Sequence, residues 1–135
     1  MGASDWTEIV GATEGVTDAY TAPPDLNECR LHYAQIDERD ASVTLSFETS
    51  AFPSNPPAAW TGKEYNTVEF YLKFTGVSKL RVTGWIFSAR DARVTLRVHG
   101  DERVGVTVEA PGSHLEFMAS TSFLARMRSY LAASE

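Results

Sequence analysis

Apolar and polar residues trade places at almost every step through most of the chain, and that alternation predicts strands. In "CRLHYAQI" Cys29, Leu31 and Tyr33 alternate with Arg30, His32 and Ala34; in "SVTLSFET" Val43, Leu45 and Phe47 alternate with Thr44, Ser46 and Glu48. The polar "DERDA" between them predicts a β-hairpin. "NTVEFYLKF" sets Val68, Phe70, Leu72 and Phe74 against Glu69, Tyr71 and Lys73, and "SKLRVTGWIF" carries Leu80 and Val82 on one face. "ARVTLRVH" and "RVGVTVEA", joined at "GDE", direct Val94, Leu96, Val98, Val104, Val106 and Val108 into a core, and "SHLEFMA" adds Leu115 and Phe117. Gly76 and Gly84 mark a turn and a bend or bulge.

The period changes at both ends. "DWTEIVGA" places Trp6, Ile9 and Val10 at helical spacing, with Gly11 as a stop, and Pro23 and Pro24 then break the chain. In "TSFLARMRSYLA" the residues Phe123, Leu124, Met127, Tyr130 and Leu131 form one apolar helical stripe, with Thr121 or Ser122 as its cap and Arg126 and Arg128 off the stripe. The expected fold is therefore α+β. A mostly antiparallel sheet of about seven strands carries a short N-terminal helix and a C-terminal amphipathic helix packed on its apolar face. A sheet curled on itself is the alternative cover.

Size and charge narrow the classes. The 135 residues fit one domain, residues 1–135, with one core. No apolar run approaches the ~18 residues that cross a bilayer, and "MGASDWTEIVGATEG" lacks the basic and apolar regions of a secretory signal. Trp6 occupies the position where a myristoylation pattern needs Ser or Thr. The lone cysteine, Cys29, excludes an intrachain disulfide and fits a reducing, cytoplasmic setting. The net charge of −6 argues against direct nucleic-acid binding and suits a basic protein partner.

Catalytic patterns are missing from the sequence. His32, His99 and His114 form neither HxH nor HExxH, and no GxSxG, GxGxxG or P-loop occurs. No catalytic residue, metal site or cofactor is expected, and Cys29 reads as a small buried hydrophobe. A metal-dependent hydrolase on the three histidines, or a carrier enclosing an apolar ligand in a curled sheet, are the rival readings. The acidic residues are the more informative group. Asp37, Glu38 and Asp40 share one turn, and Glu48, Glu69 and Glu116 fall on outward strand faces. They are either a solvated face neutralised across strands by Arg30, Lys73, Arg81, Arg93 and Arg97, or an acidic patch for a basic partner. Tyr71 shares the outward phase.

The stretch "AFPSNPPAAW" stiffens the chain with Pro53, Pro56 and Pro57 before presenting Trp60. It reads as a rigid crossing that returns Trp60 to the sheet, to pack with Trp85 beneath the loop, leaving Ser54 and Asn55 outward as contact candidates.

The ordered series "DWTEIVG", "PPDLNE", "FPSNPPAAW", "YNTVEFYLKFTGVSKLRVTGW" and "RSYLA" resembles bacterial immunity proteins of the immunity protein 50 family, especially forms from actinomycetes. Trp6, Pro53, Pro57, Trp60, Asn66 and Trp85 are the structural signature, with Gly76-Val77 and Gly84 alongside. The resemblance implies an α+β protein that binds a polymorphic toxin in the cytoplasm and blocks it, the toxin often being a nuclease. It carries over no catalytic and no toxin-binding residue.

Overall fold

The computed structural model describes residues 6–62, 64–85, 92–100 and 103–131. Two short helices, α1 (Trp6–Ile9) and α2 (Glu14–Ala19), precede eight strands: β1 (Arg30–Asp37), β2 (Ser42–Thr49), β3 (Thr67–Thr75), β4 (Ser78–Thr83), β5 (Arg93–Val98), β6 (Val104–Ala110), β7 (Ser113–Ala119) and β8 (Thr121–Tyr130). The strands form two antiparallel four-stranded sheets, ordered β1-β2-β3-β8 and β4-β7-β6-β5. The fold is thus mostly β, and the expected C-terminal amphipathic helix is a strand.

The reason lies in one extra residue. Along β8 Ser122 and Leu124 oppose Phe74 and Leu72, whereas Met127 and Ser129 oppose Phe70 and Val68, so Ala125 is a bulge. A bulge turns a two-residue step into a three-residue step. Leu124 and Met127 then imitate the spacing of a helical stripe while both pack on the core as strand residues.

One hydrophobic cluster joins both sheets and the helices. Phe74 of the first sheet meets Phe117 of the second edge to face, with ring centroids 5.3 Å apart. Trp6 and Tyr20 both stack against Phe70, at 5.8 and 6.2 Å, so the N-terminal segment covers the inner face of the first sheet that the second sheet leaves open. The Trp6 indole donates to the carbonyl of Pro24 at 2.9 Å, which gives a fully buried polar N–H its partner. Trp6, Phe47, Phe70 and Phe74 are the bulkiest of the fully buried side chains among the described residues.

The chain passes between the sheets twice at one corner. The β3–β4 crossing is held where Val77 N–H donates to the Ala41 carbonyl at 2.9 Å, and the β7–β8 crossing where Ser120 N–H donates to Thr75 at 2.9 Å. Edges are treated unequally. Gly11 bridges to β8, donating to Ser122 and accepting from Leu124 at 2.9 Å each, and the Asn27 side chain accepts from Val94 N–H of β5 at 2.7 Å. Edge strand β4 is exposed along all six residues, Leu80 and Val82 included, and Val98 at the end of β5 is exposed as well. These three side chains lie in the expected phase, but at a rim that nothing described covers.

Candidate functional site

The outer face of the first sheet carries a row of four charges, one per strand. Arg30, Glu48, Glu69 and Arg128 are successive cross-strand partners on β1, β2, β3 and β8. Two carboxylates side by side repel, and the row is stable because each is supplied with its own donors. Arg128 Nε donates to Glu69 Oε1 from one side, and His32 Nε2 lies 2.6 Å from Glu69 Oε2 on the other. The Tyr130 hydroxyl donates to Glu48 Oε2 at 2.5 Å.

A second bulge makes this arrangement possible. The β1–β2 register shifts between Leu31 and Tyr33, so His32 is the additional residue. The shift seats its imidazole between the two glutamates, with Nδ1 4.0 Å from Glu48 Oε2 and without a hydrogen-bond partner. It also reverses the phase of β1. Tyr33, expected inward with Cys29 and Leu31, faces out, and Ala34 packs against the core instead.

Glu69 is the centre of the cluster. Its side chain is 2% exposed although it stands on the outward face of a sheet. Burial is the largest single influence on its carboxyl and pushes the pKa up. Hydrogen bonds from Arg128 and Tyr71, with the charges of Arg128 and His32, together outweigh burial and hold it below the ordinary glutamate value. Burial, followed by the hydrogen bond to Glu48, pushes the Tyr130 phenol up, so it stays a protonated donor.

Aromatic rings and guanidinium groups surround this centre. Tyr33 and Tyr71 meet edge to face at 6.0 Å, and the Arg128 guanidinium lies over the Tyr130 ring at 5.3 Å. Arg126 opposes Tyr71 in the register and is exposed, as is Arg30. Among the described residues neither of these two guanidiniums is held by a carboxylate. Sequence reasoning reached Glu69 and Tyr71 but missed His32, Arg126, Arg128 and Tyr130 as their neighbours. The bulges that bring them together leave no mark in an alternation count.

The other expected site residues lie elsewhere. Asp37, Glu38 and Asp40 do share the β1–β2 turn. Asp37 is paired with Arg39 at 3.3 Å, and Asp40 accepts from Ser42 at 2.5 Å and from Lys73 at 3.1 Å, so two of the three carboxylates are already partnered. Arg81 pairs with Glu116 at 3.7 Å across β4 and β7, the cross-strand neutralisation anticipated for this face. In the proline loop Asn55 donates through its backbone to Ala19 at 3.0 Å and through its side chain to Asp18 at 3.1 Å, while the hydroxyls of Ser54 and Thr21 are 3.1 Å apart. Both residues remain exposed but also strap the loop to the end of α2. Pro53 is buried, Pro57 half-buried, and the ring partner of Trp60 is Phe52 at 5.8 Å. Trp60 and Trp85 each pack on the core. Asn66 immediately precedes β3, its N–H donating to the Tyr130 carbonyl at 3.1 Å.

His32 lies on the first sheet, while His114, on β7, is 3.2 Å from Glu116. Among the described residues no group of three His, Cys, Asp or Glu side chains is placed to hold a metal ion. No described helix is long and apolar enough to cross a membrane.

Charge is unevenly divided along the chain. Asp5, Glu8, Glu14, Asp18, Asp25 and Glu28 precede the first basic residue, Arg30, and the remaining acidic and basic residues balance, so this stretch holds the whole net charge of −6. The helices within it pack on the inner face of the first sheet, opposite the arginines and tyrosines of the outer face.

Together these features define a two-sheet β-domain with an acidic helical side and an aromatic, arginine-bearing sheet face. The family model described as immunity protein 50 matches residues 13–130, and the chain belongs to that family. It is therefore an immunity protein, a class that generally binds a toxin partner and is generally non-enzymatic. Comparisons with curated proteins and with solved structures return no match.

Proposed function

We propose that this chain is a cytoplasmic immunity protein of a bacterial polymorphic-toxin system, which binds one cognate toxin and blocks its active site or its approach to substrate. The family resemblance points to a nuclease as one class of toxin it would meet. Family membership over residues 13–130 carries the reading. The free, buried thiol of Cys29 is compatible with a reducing compartment.

The toxin is basic overall in this reading. The acidic segment from Glu8 to Glu28 supplies long-range attraction, which speeds encounter and weakens with salt. The test is co-expression of the toxin domain encoded beside the gene, with and without this chain, followed by survival counts and co-purification. Rescue with a stable complex is expected. A lethal toxin that this chain neither binds nor relieves overturns the proposal. An association rate indifferent to salt overturns only the charge-steering part.

A further inference from the structure

Resting on that reading, we infer that the toxin is gripped by the outer face of the first sheet, and that the surface it presents there bears carboxylates. The acidic turn and the acidic helical side are then not the contact.

Accessibility decides the sign of the face. Its two central carboxylates are already used: Glu69 is buried between Arg128 and His32, and Glu48 is held by Tyr130. The charged ends left to a partner are guanidiniums. Arg30 and Arg126 are exposed, and Arg128 keeps 45% of its side chain accessible while anchored from below by Glu69. A guanidinium offers five donors in a fixed fork that matches a carboxylate with two parallel bonds. Between these groups stand Tyr33, 39% exposed, and Tyr71. Tyrosine and arginine are the side chains that carry most binding energy in protein interfaces.

Preorganisation strengthens the argument. Arg128 is fixed by Glu69 and by the Tyr130 ring, and Tyr33 and Tyr71 fix one another, so little rotamer freedom remains to be lost on association. The overall charge and the contact charge thus have opposite signs and separate kinetic roles. The acidic side sets the rate of arrival, and the arginine face sets the lifetime of the complex.

The test measures binding kinetics against an inactivated form of the toxin domain encoded beside the gene. The variants are the double change Arg30→Glu with Arg126→Glu, the single change Tyr33→Ala, and Asp18→Lys on the acidic side. All these side chains are exposed, and unchanged thermal unfolding confirms that the fold is kept. The arginine pair and Tyr33→Ala are each expected to raise the dissociation rate about tenfold or more. Asp18→Lys is expected to lower the association rate by a few-fold and leave dissociation unchanged. An unchanged dissociation rate in the double variant, or a raised one in Asp18→Lys, overturns the assignment of the face. Loss of a labelled single-stranded oligonucleotide by the double variant, when wild type binds it and its toxin contact is unaffected, also overturns it, in favour of nucleic acid. If wild type forms no complex with the toxin, the proposed function falls and this inference with it.

Discussion

His32 Nε2 lies 2.6 Å from Glu69 Oε2, and the contact exists because β1 contains one residue more than β2 requires. Facing a carboxylate that only accepts, Nε2 carries the proton. The bulge thereby turns a repulsive pair of neighbouring glutamates into a hydrogen-bonded cluster that also holds Arg128 and Tyr130 in place.

Removing one member of the cluster should cost stability. Arg128→Met takes from Glu69 the guanidinium that donates to it and is expected to destabilise by about 1–3 kcal/mol at pH 7. That is less than the ~3–5 kcal/mol of a fully buried pair, because solvent reaches the guanidinium. Glu69→Gln keeps the shape and part of the hydrogen bonding, and about 1–2 kcal/mol is expected. Urea unfolding of both variants, with slopes matching wild type, checks the pair. Losses below about 0.5 kcal/mol in both would show that the cluster acts as an ordinary surface ion pair.

Acid should expose the same carboxylate. The folded-state pKa of Glu69 is lowered, so below the ordinary glutamate value the unfolded chain binds a proton more readily than the native one. Its contribution is therefore fully present above that value and is lost as pH falls through the depressed native one. Asp37, held down by Arg39, and Asp40, held down by Ser42 and Lys73, act in the same direction. Glu69→Gln should flatten the dependence of stability on pH below about 4.5. An acid limb identical to wild type would remove Glu69 from the account.

Cys29 should be unreactive until the chain opens. Burial is the main cause pushing its thiol up to about 12; the Asp25 and Glu28 charges add to it, against a lowering hydrogen bond from Thr49. The reactive thiolate is then scarce at pH 8. Modification by a disulfide reagent should follow the urea unfolding curve. Stoichiometric labelling of the native protein within minutes would contradict the buried placement.

The second sheet can be probed at a glycine. Gly84 has φ +59°, and a Cβ there would stand 2.5 Å from the carbonyl oxygen of Gly112, a backbone atom that cannot rotate away. Gly84→Ala should cost about 2 kcal/mol or more, read as a loss of roughly 6–10 °C in Tm. Gly100, where a Cβ meets open space, should accept alanine within about 0.5 kcal/mol. Equal effects at the two positions would contradict this geometry.

Much of the fold was legible wherever a strand kept strict alternation. β2, β3, the β5–β6 hairpin and β7 follow directly from their apolar phases, the polar turn locates the β1–β2 hairpin, and Trp6, Ile9 and Val10 locate α1 and its exit. Reading failed at the bulges. Ala125 made β8 look helical, and His32 reversed the phase of Tyr33, because one inserted residue moves every later side chain to the opposite face. The site suffered twice over, since its members come from the two bulged strands and the two strands between them. Glu69 could be placed on the outward face by phase, but its burial depends on Arg128, 59 residues away in the chain. No local pattern encodes such a partnership.

The buried position of Glu69 has a consequence for how such a protein can change partners. The groups that hold the sheet face in shape, Glu69 and His32, are more buried than the exposed Arg30, Tyr33 and Arg126 around them. Exposed strand positions accept most substitutions at little cost in stability, whereas a buried charge does not. The exposed residues are therefore free to vary in size and sign while the more buried ones keep the frame. A lineage can follow a drifting toxin through a handful of surface replacements, none of which requires the molecule to be rebuilt.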